Sequence, residues 1–415
     1  MTTLPLRFRQ LAQRFFLKTA AVSFRRRLPK RWWDEHEAWL AVCKGLAQQP
    51  LPADDAAGPV FALSQRLRRE TLEAYRGKYA GRTDLRVLLH VPSSATSMGG
   101  NSLFSNWFDG LRHMGVPCAM LDTGKPANEF IEEFKPTVFF TSDHDSYLRW
   151  IDWSRLRTYR ERHPLVLALT ASAEHDGNTP AGPRLKQARE RQVDFFVSFR
   201  EPEYIAEHLG EWTREGYDVV SVPFSANPTL QFHVPFEPKP LDFVFLASIN
   251  QEKAARYWRY CGGFLPRYRG VINGPGWGQD ELILARPYHA HAYALGAVGI
   301  NLHIPTSLDL FTEINERTFI LACCGTFQLC DAPQVLRRFF PETAVVSADT
   351  PAEYAEKFAH YLRHPDQRVP FQLESLRAVY HGHTIFHRMS TFLCRVEASL
   401  HRQGSPVEPS RARTK

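Results

Sequence analysis

The sequence predicts an α/β protein of two successive Rossmann-like domains, and three observations carry that prediction. Short apolar runs alternate with polar, helix-length segments from about residue 85 onward, the pattern of parallel sheets covered on both faces. The runs form two series. One comprises 85–91, 118–121, 137–141, 165–170, 194–199 and 218–222; the other comprises 242–247, 268–272, 298–303, 326–329 and 344–346. Between the series, residues 232–240 hold three prolines and read as an interdomain linker. The chain has 415 residues, 44% hydrophobic and 23% charged, enough for two cores of this kind.

Residues 1–80 precede the first series and predict a basic, helical N-terminal extension. Leu4, Phe8, Leu11 and Phe15 recur at helical spacing, and Arg25-Arg26-Arg27 lies just ahead of Trp32-Trp33. Residues 1–33 hold nine Lys or Arg and no acid, and 401–415 carry a net +3. Of a total of +7, the body between therefore carries a net −5. A basic stretch with interspersed Phe and Trp fits an anionic membrane surface, or equally a helix packed on the body with a solvated basic face. Residues 48–59, rich in Pro, Ala and Asp, read as a linker. The further domain limits are 81–235, 236–384, a last helix over 385–400, and a disordered tail over 401–415. Further helices are predicted over 313–324 and 351–363.

Several classes are excluded. No run approaches the roughly 20 apolar residues of a membrane-spanning helix. The start lacks a secretory signal, so the expected location is the cytoplasm, with peripheral attachment to the inner membrane face. The acidic body argues against a nucleic-acid partner. Seven cysteines, an odd number with no Cys-x-x-Cys pair, read as reduced core residues and not as a disulfide framework or metal site.

The loops after strand ends hold the candidate chemistry, because ligands of such sheets bind at the strands' carboxyl ends. Gly99, Gly100 and Asn101 open a helix whose free N–H groups suit phosphate, although neither a dinucleotide glycine fingerprint nor a Walker motif is present. Asp143 and His144 follow one strand, and Glu174 and His175 the next. Each pair supplies a carboxylate and an imidazole, the groups of a general base. Gly274 and Trp277, after a strand of the second series, could wall a base, or form an ordinary loop.

The segment 299–388 is the most informative. It reads Gly299-Ile300-Asn301-Leu302-His303, then Asn315-Glu316-Arg317-Thr318-Phe319-Ile320-Leu321-Ala322-Cys323-Cys324-Gly325-Thr326-Phe327. Together with the stretches at 242–247 and 274–277, it resembles the donor-binding domain of CgeB-like (spore-maturation-type) glycosyltransferases, in the GT-B architecture. The resemblance covers about 240–395, is architectural over 85–235, and does not extend to 1–80. It implies two Rossmann-like domains with parallel sheets facing across a cleft. A nucleotide sugar would bind the C-terminal domain and a glycan, lipid-linked or protein acceptor the N-terminal one. It implies a hexosyl- or related transferase of polysaccharide biosynthesis that requires no metal or cofactor. It also implies that the helix over 385–400 returns to the first domain, through Ile385, Met389, Phe392 and Val396.

Within the resemblance, Arg317 is expected on a helix capped by Thr312, in a stripe with Glu313, Ile320 and Cys324, and aimed at diphosphate. Ser248, Gly274, Trp277, Asn315, Glu316 and Gly325 complete the expected donor contacts. Glu313 is expected to act in catalysis or to touch the donor sugar. One position departs from the family: Ile320 stands where a Glu usually binds ribose, and an isoleucine cannot accept those hydrogen bonds. Either Glu316, one turn earlier on nearly the same face, replaces that Glu, or the donor sits differently. The departure leaves open a non-catalytic GT-B protein that binds glycan or nucleotide, and a sugar-nucleotide epimerase shares the architecture.

Overall fold

The structure is a computed structural model that describes residues 29–53, 57–93, 97–171, 180–248, 251–274, 277, 286–303 and 314–404. The membrane expectation for the N-terminus falls mostly on residues outside this set, and most of the tail does as well.

By its internal contacts the chain divides into two units. One takes in the described residues up to Ala74 together with Phe224–Thr384. The other takes in Tyr75–Pro223 together with the described residues from Ile385. The second unit is built on six parallel strands: β1 (Val87–Val91), β2 (Cys118–Asp122), β3 (Val138–Thr141), β4 (Val166–Thr170), β5 (Phe195–Ser198) and β6 (Val219–Ser221). Their order is β2-β1-β3-β4-β5-β6. The first unit holds β7 (Leu241–Leu246), β8 (Gly270–Asn273), β9 (Gly296–Asn301), β10 (Gln328–Cys330) and β11 (Val346–Ser347), ordered β11-β10-β9-β7-β8 and again all parallel. Each apolar run of the sequence becomes a strand, because strands such as β1 and β4 are buried at every residue. In both sheets the order reverses direction beside the first strand, between β1 and β3 and between β7 and β9. Open sheets of this kind take ligands at that reversal.

The described residues between 29 and 74, expected as an appendage, are integral to the first unit. Trp32 is buried edge-on to Phe243 of β7, with ring centroids 5.2 Å apart, and its indole N–H donates to the Tyr268 carbonyl. Leu40 and Cys43 of the helix His36–Gln48 join the core beneath β7 and β8. Val60 and Leu63 of the helix Pro59–Tyr75 pack with Phe319 and Ala322. The proline-rich stretch likewise differs from a free linker, since the division falls at 223/224. Ala226, Asn227, Gln231 and His233 are buried, and the His233 amide donates to Ser64 Oγ. Prolines report missing regular structure there, not exposure.

The helix Ile385–Gly404 packs on the helix Met98–His113, β4 and β6. Its stripe Ile385, Met389, Phe392 and Val396 is fully buried, and Phe392 meets Trp107 at 5.4 Å and Phe140 at 5.9 Å. Gly110 makes this approach possible, because a Cβ there would lie 2.9 Å from Ile385 Cγ1. Gly110→Val should therefore force the helices apart and destabilise the protein by about 1–3 kcal/mol, read as a lowered denaturation midpoint at unchanged slope.

Candidate functional site

The helix Glu316–Cys323 occupies the β7/β9 reversal, and its placement follows from a buried polar network. Asn315, not Thr312, caps the helix: its Oδ1 accepts from the Thr318 amide at 3.0 Å, while Thr312 lies outside the described residues. The Asn315 amide also donates to Asn301 Oδ1 and to the Leu302 carbonyl, both at 3.1 Å. Asn301 Nδ2 donates to Thr318 Oγ1 at 3.0 Å and to Gln328 Oε1 at 2.9 Å. Strand ends β9 and β10 are thus tied to the helix start. Both ends of the Asn315 amide are committed to holding the helix start.

Arg317 sits on the first turn. Its Nε donates to the Leu246 carbonyl at 2.7 Å and its Nη1 to the Leu302 carbonyl at 3.2 Å, so the guanidinium spans the carboxyl ends of β7 and β9. Phe245 lies beneath it, 5.0 Å from centroid to Cζ. Among the described residues no carboxylate pairs with it, and burial pushes its pKa down. A half-buried cation held by neutral carbonyls stabilises an arriving anion more than one already paired.

Behind Arg317, Asp331 accepts from the His303 amide at 2.8 Å, from His303 Nδ1 at 3.0 Å and from Arg256 Nε at 2.5 Å. Burial alone would raise the Asp331 pKa, but the His303 hydrogen bond and the neighbouring charges hold it below the usual carboxylate range. His303 Nε2 meets Thr318 Oγ1 at 3.2 Å, which joins this charge network to the helix cap. His303, Cys330 and Asp331 are the kinds of residue that ligate metals and lie close together. A guanidinium on the same carboxylate opposes a second cation there, so we read them as a positioning network. Sequence reasoning gave His303 and Asp331 no role. The available signal was their place, His303 at the end of one apolar run and Asp331 just past the end of another.

Other expected site residues are distributed differently. Trp277 is a core residue: it is buried against Phe245 and Tyr257, and its indole N–H donates to the Ala247 carbonyl at 2.7 Å, so no face is free for a base. Gly325 follows the end of the helix with φ 58°, about 12 Å from Arg317 at 1.5 Å per residue. Ile320 is buried among Leu40, Cys43 and Tyr293, not open to a ribose, while Glu316 is half-buried at the helix's first residue. Ser248, just past β7, is exposed and accepts from Lys253 Nζ at 2.9 Å. Gly274 is buried just past β8 with φ 147°. Glu313, Glu174 and His175 lie outside the described residues.

Gly99, Gly100 and Asn101 belong to the other unit, on the first turn of the helix Met98–His113 capped by Ser97. There Asn101 Nδ2 donates to the Pro92 carbonyl, and a Cβ on Gly100 would lie 2.8 Å from Pro92 Cγ. Asp143 is buried in an ion pair with Arg184 and bonds Thr170 Oγ1 at 3.2 Å. His144 is exposed and caps a short helix, its Nδ1 accepting from the Ser146 amide at 3.2 Å. That bond puts the proton of neutral His144 on Nε2, which leaves no lone pair for a base.

Residues 258–394, well under half of the chain, match a family model described as glycosyl transferase-like. Among solved structures, a glycosyltransferase from Rickettsia africae ESF-5 is similar at 9% identity and TM-score 0.51, over 77% of this chain and 99% of that one. The T4 phage BGT in complex with UDP and Mn2+ is similar at 10% identity and TM-score 0.50, over 75% and 100%. No curated protein matches the chain. At these identities the likeness is one of fold, and the fold is GT-B.

The buried Ile320 yields a clear expectation. Ile320→Glu places an unpaired carboxylate in the core and should destabilise the protein by about 3 kcal/mol or more, read by chemical denaturation. Acid should also weaken the fold. Burial lowers the pKa of His90 and of His233 to about 4. The unfolded chain binds these protons near pH 6.5, the folded chain only near 4, so stability falls as pH drops through that window. His90→Gln should flatten the slope of denaturation midpoint against pH between 6.5 and 4.

Proposed function

We propose that the protein is a glycosyltransferase that takes a nucleotide-sugar donor at the carboxyl ends of β7 and β9, with Arg317 on the diphosphate. The observation that carries the reading is the guanidinium spanning that strand reversal, half-buried and, among the described residues, without a carboxylate partner. The start of its helix adds a positive dipole end, although the helix is short. Both features stabilise the negative charge that grows on the leaving diphosphate. The glycosyl transferase-like match over 258–394 includes this helix, and a GT-B neighbour is solved with UDP. Glu316 is our choice for the ribose hydroxyls, since Ile320 is not available. The acceptor, a glycan or other hydroxyl, belongs on the unit that carries β1–β6. A place among the CgeB-like enzymes, hexosyl specificity and independence from metal are part of the same proposal, as are cytoplasmic residence and attachment to an anionic membrane surface through residues 1–33.

The test is incubation with UDP-, GDP- and dTDP-linked sugars and measurement of released nucleoside diphosphate. Release supports transfer. An isomerised nucleotide sugar without release identifies an epimerase, and binding without either reaction identifies a non-catalytic protein. Arg317→Ala should weaken nucleoside diphosphate binding by about 1.5–3 kcal/mol, measured by calorimetry on folded protein. Wild-type affinity in that variant removes the helix from the donor site.

A further inference from the structure

The β1–β6 sheet is apolar along its strands and turns polar at their carboxyl ends, where His90, Thr141, Thr170 and Ser198 stand. Two of these face each other across the β1/β3 reversal. The register pairs Leu88 with Phe139 and Leu89 with Phe140, which brings His90 beside Thr141, and His90 Nδ1 lies 3.0 Å from Thr141 Oγ1. Both residues are fully buried. The other imidazole nitrogen, Nε2, is buried too and has no hydrogen-bond partner among the described residues. A buried polar atom left unbonded costs about 1–3 kcal/mol, and such atoms in native proteins mark a ligand, a water or a reaction. This one lies at the reversal, the place where open sheets bind ligands. The ring stacks on Phe139 and meets Tyr147 edge-on at 6.0 Å. Burial keeps it neutral near physiological pH.

We propose that His90 Nε2 receives the hydroxyl of the sugar acceptor and takes its proton during transfer. The inference rests on the glycosyl-transfer reading and assigns the acceptor contact within it. This transfer requires that Nδ1–H donate to Thr141 Oγ1, the tautomer that leaves the Nε2 lone pair open. As the acceptor oxygen bonds to the anomeric carbon, its proton passes to Nε2. The bond from that carbon to the diphosphate oxygen breaks, and the electron pair leaves with the diphosphate. Of the other bases considered for this unit, Asp143 is paired with Arg184, neutral His144 carries its proton on Nε2, and Glu174 and His175 lie outside the described residues. Tyr147, on the short helix Asp145–Leu148, is the side chain that must yield to admit the hydroxyl.

The experiment has two arms on the full chain. Long-range proton–nitrogen spectra of protein labelled with ¹⁵N-histidine, with His90 identified by loss of its signal in His90→Gln, report the tautomer. Nδ1–H is expected; an Nε2–H tautomer overturns the proposal whatever the donor proves to be. In the second arm, UDP release from UDP-glucose, with water as acceptor, is compared in wild type, His90→Gln and the isosteric Thr141→Val. Release should fall about 100-fold or more in His90→Gln, the usual contribution of a positioned base, with UDP affinity unchanged. Thr141→Val, compared on folded protein, should shift the tautomer toward Nε2–H and slow release. Wild-type release in His90→Gln overturns the proposal. If wild type itself releases no UDP while binding it, the donor reading has failed instead, and the tautomer still decides His90.

Discussion

Everything in this molecule depends on one constraint: a parallel sheet covered on both faces has almost nowhere to put polarity except the ends of its strands. Both sheets obey it. The strands are apolar through their middles, and the groups that can do chemistry collect where the backbone leaves the sheet. The reversals in strand order then select, among all those ends, one location per sheet. At one of them lies a cation held by carbonyls, and at the other an imidazole held by a hydroxyl.

Much of this was legible in the sequence because the signal was periodic. Runs such as 137–141 and 165–170 have the length and composition of buried strands, and all eleven reappear within a few residues of their expected limits. What composition misjudged was attachment. The prolines of 232–240 indicated irregular backbone, yet His233 within that stretch buries an imidazole bonded to the Cys324 carbonyl, which a free linker would expose. The helices between residues 31 and 75 looked like an appendage because no strand accompanies them. Their apolar faces, led by Trp32 and Leu40, complete the core of a sheet that begins at Leu241. Such contacts span two hundred residues and leave no local trace.

The candidate site was less legible, since a side chain's role depends on what it touches. Arg317 was readable from its motif. Trp277 and Asn315 carried the right chemistry for ligand contacts, but their hydrogen-bonding groups are consumed inside the protein. His90 gave no signal at all: a histidine inside an apolar run is most often a satisfied core residue. Only the pairing of β1 with β3 reveals that one of its nitrogens is unsatisfied. His303 and Asp331 were hidden in the same way, because their partnership exists only once β9 and β10 lie side by side.

The helix Ile385–Gly404 has a consequence for how the molecule is made. It closes the unit whose six strands end at Ser221, yet the ribosome reaches it only after residues 224–384 have been synthesised. Until then the apolar surface around Trp107, Phe140 and Phe195 that it covers has no partner. The nascent sheet must wait with that face open, a period in which a holding chaperone, or the chain's own slow emergence, governs the yield of native protein. Neither unit is a contiguous piece of the gene. An excised fragment ending near residue 223 would therefore lack part of its own interior, and a stitched polypeptide joining 75–223 to 385–404 is the smallest piece that retains it.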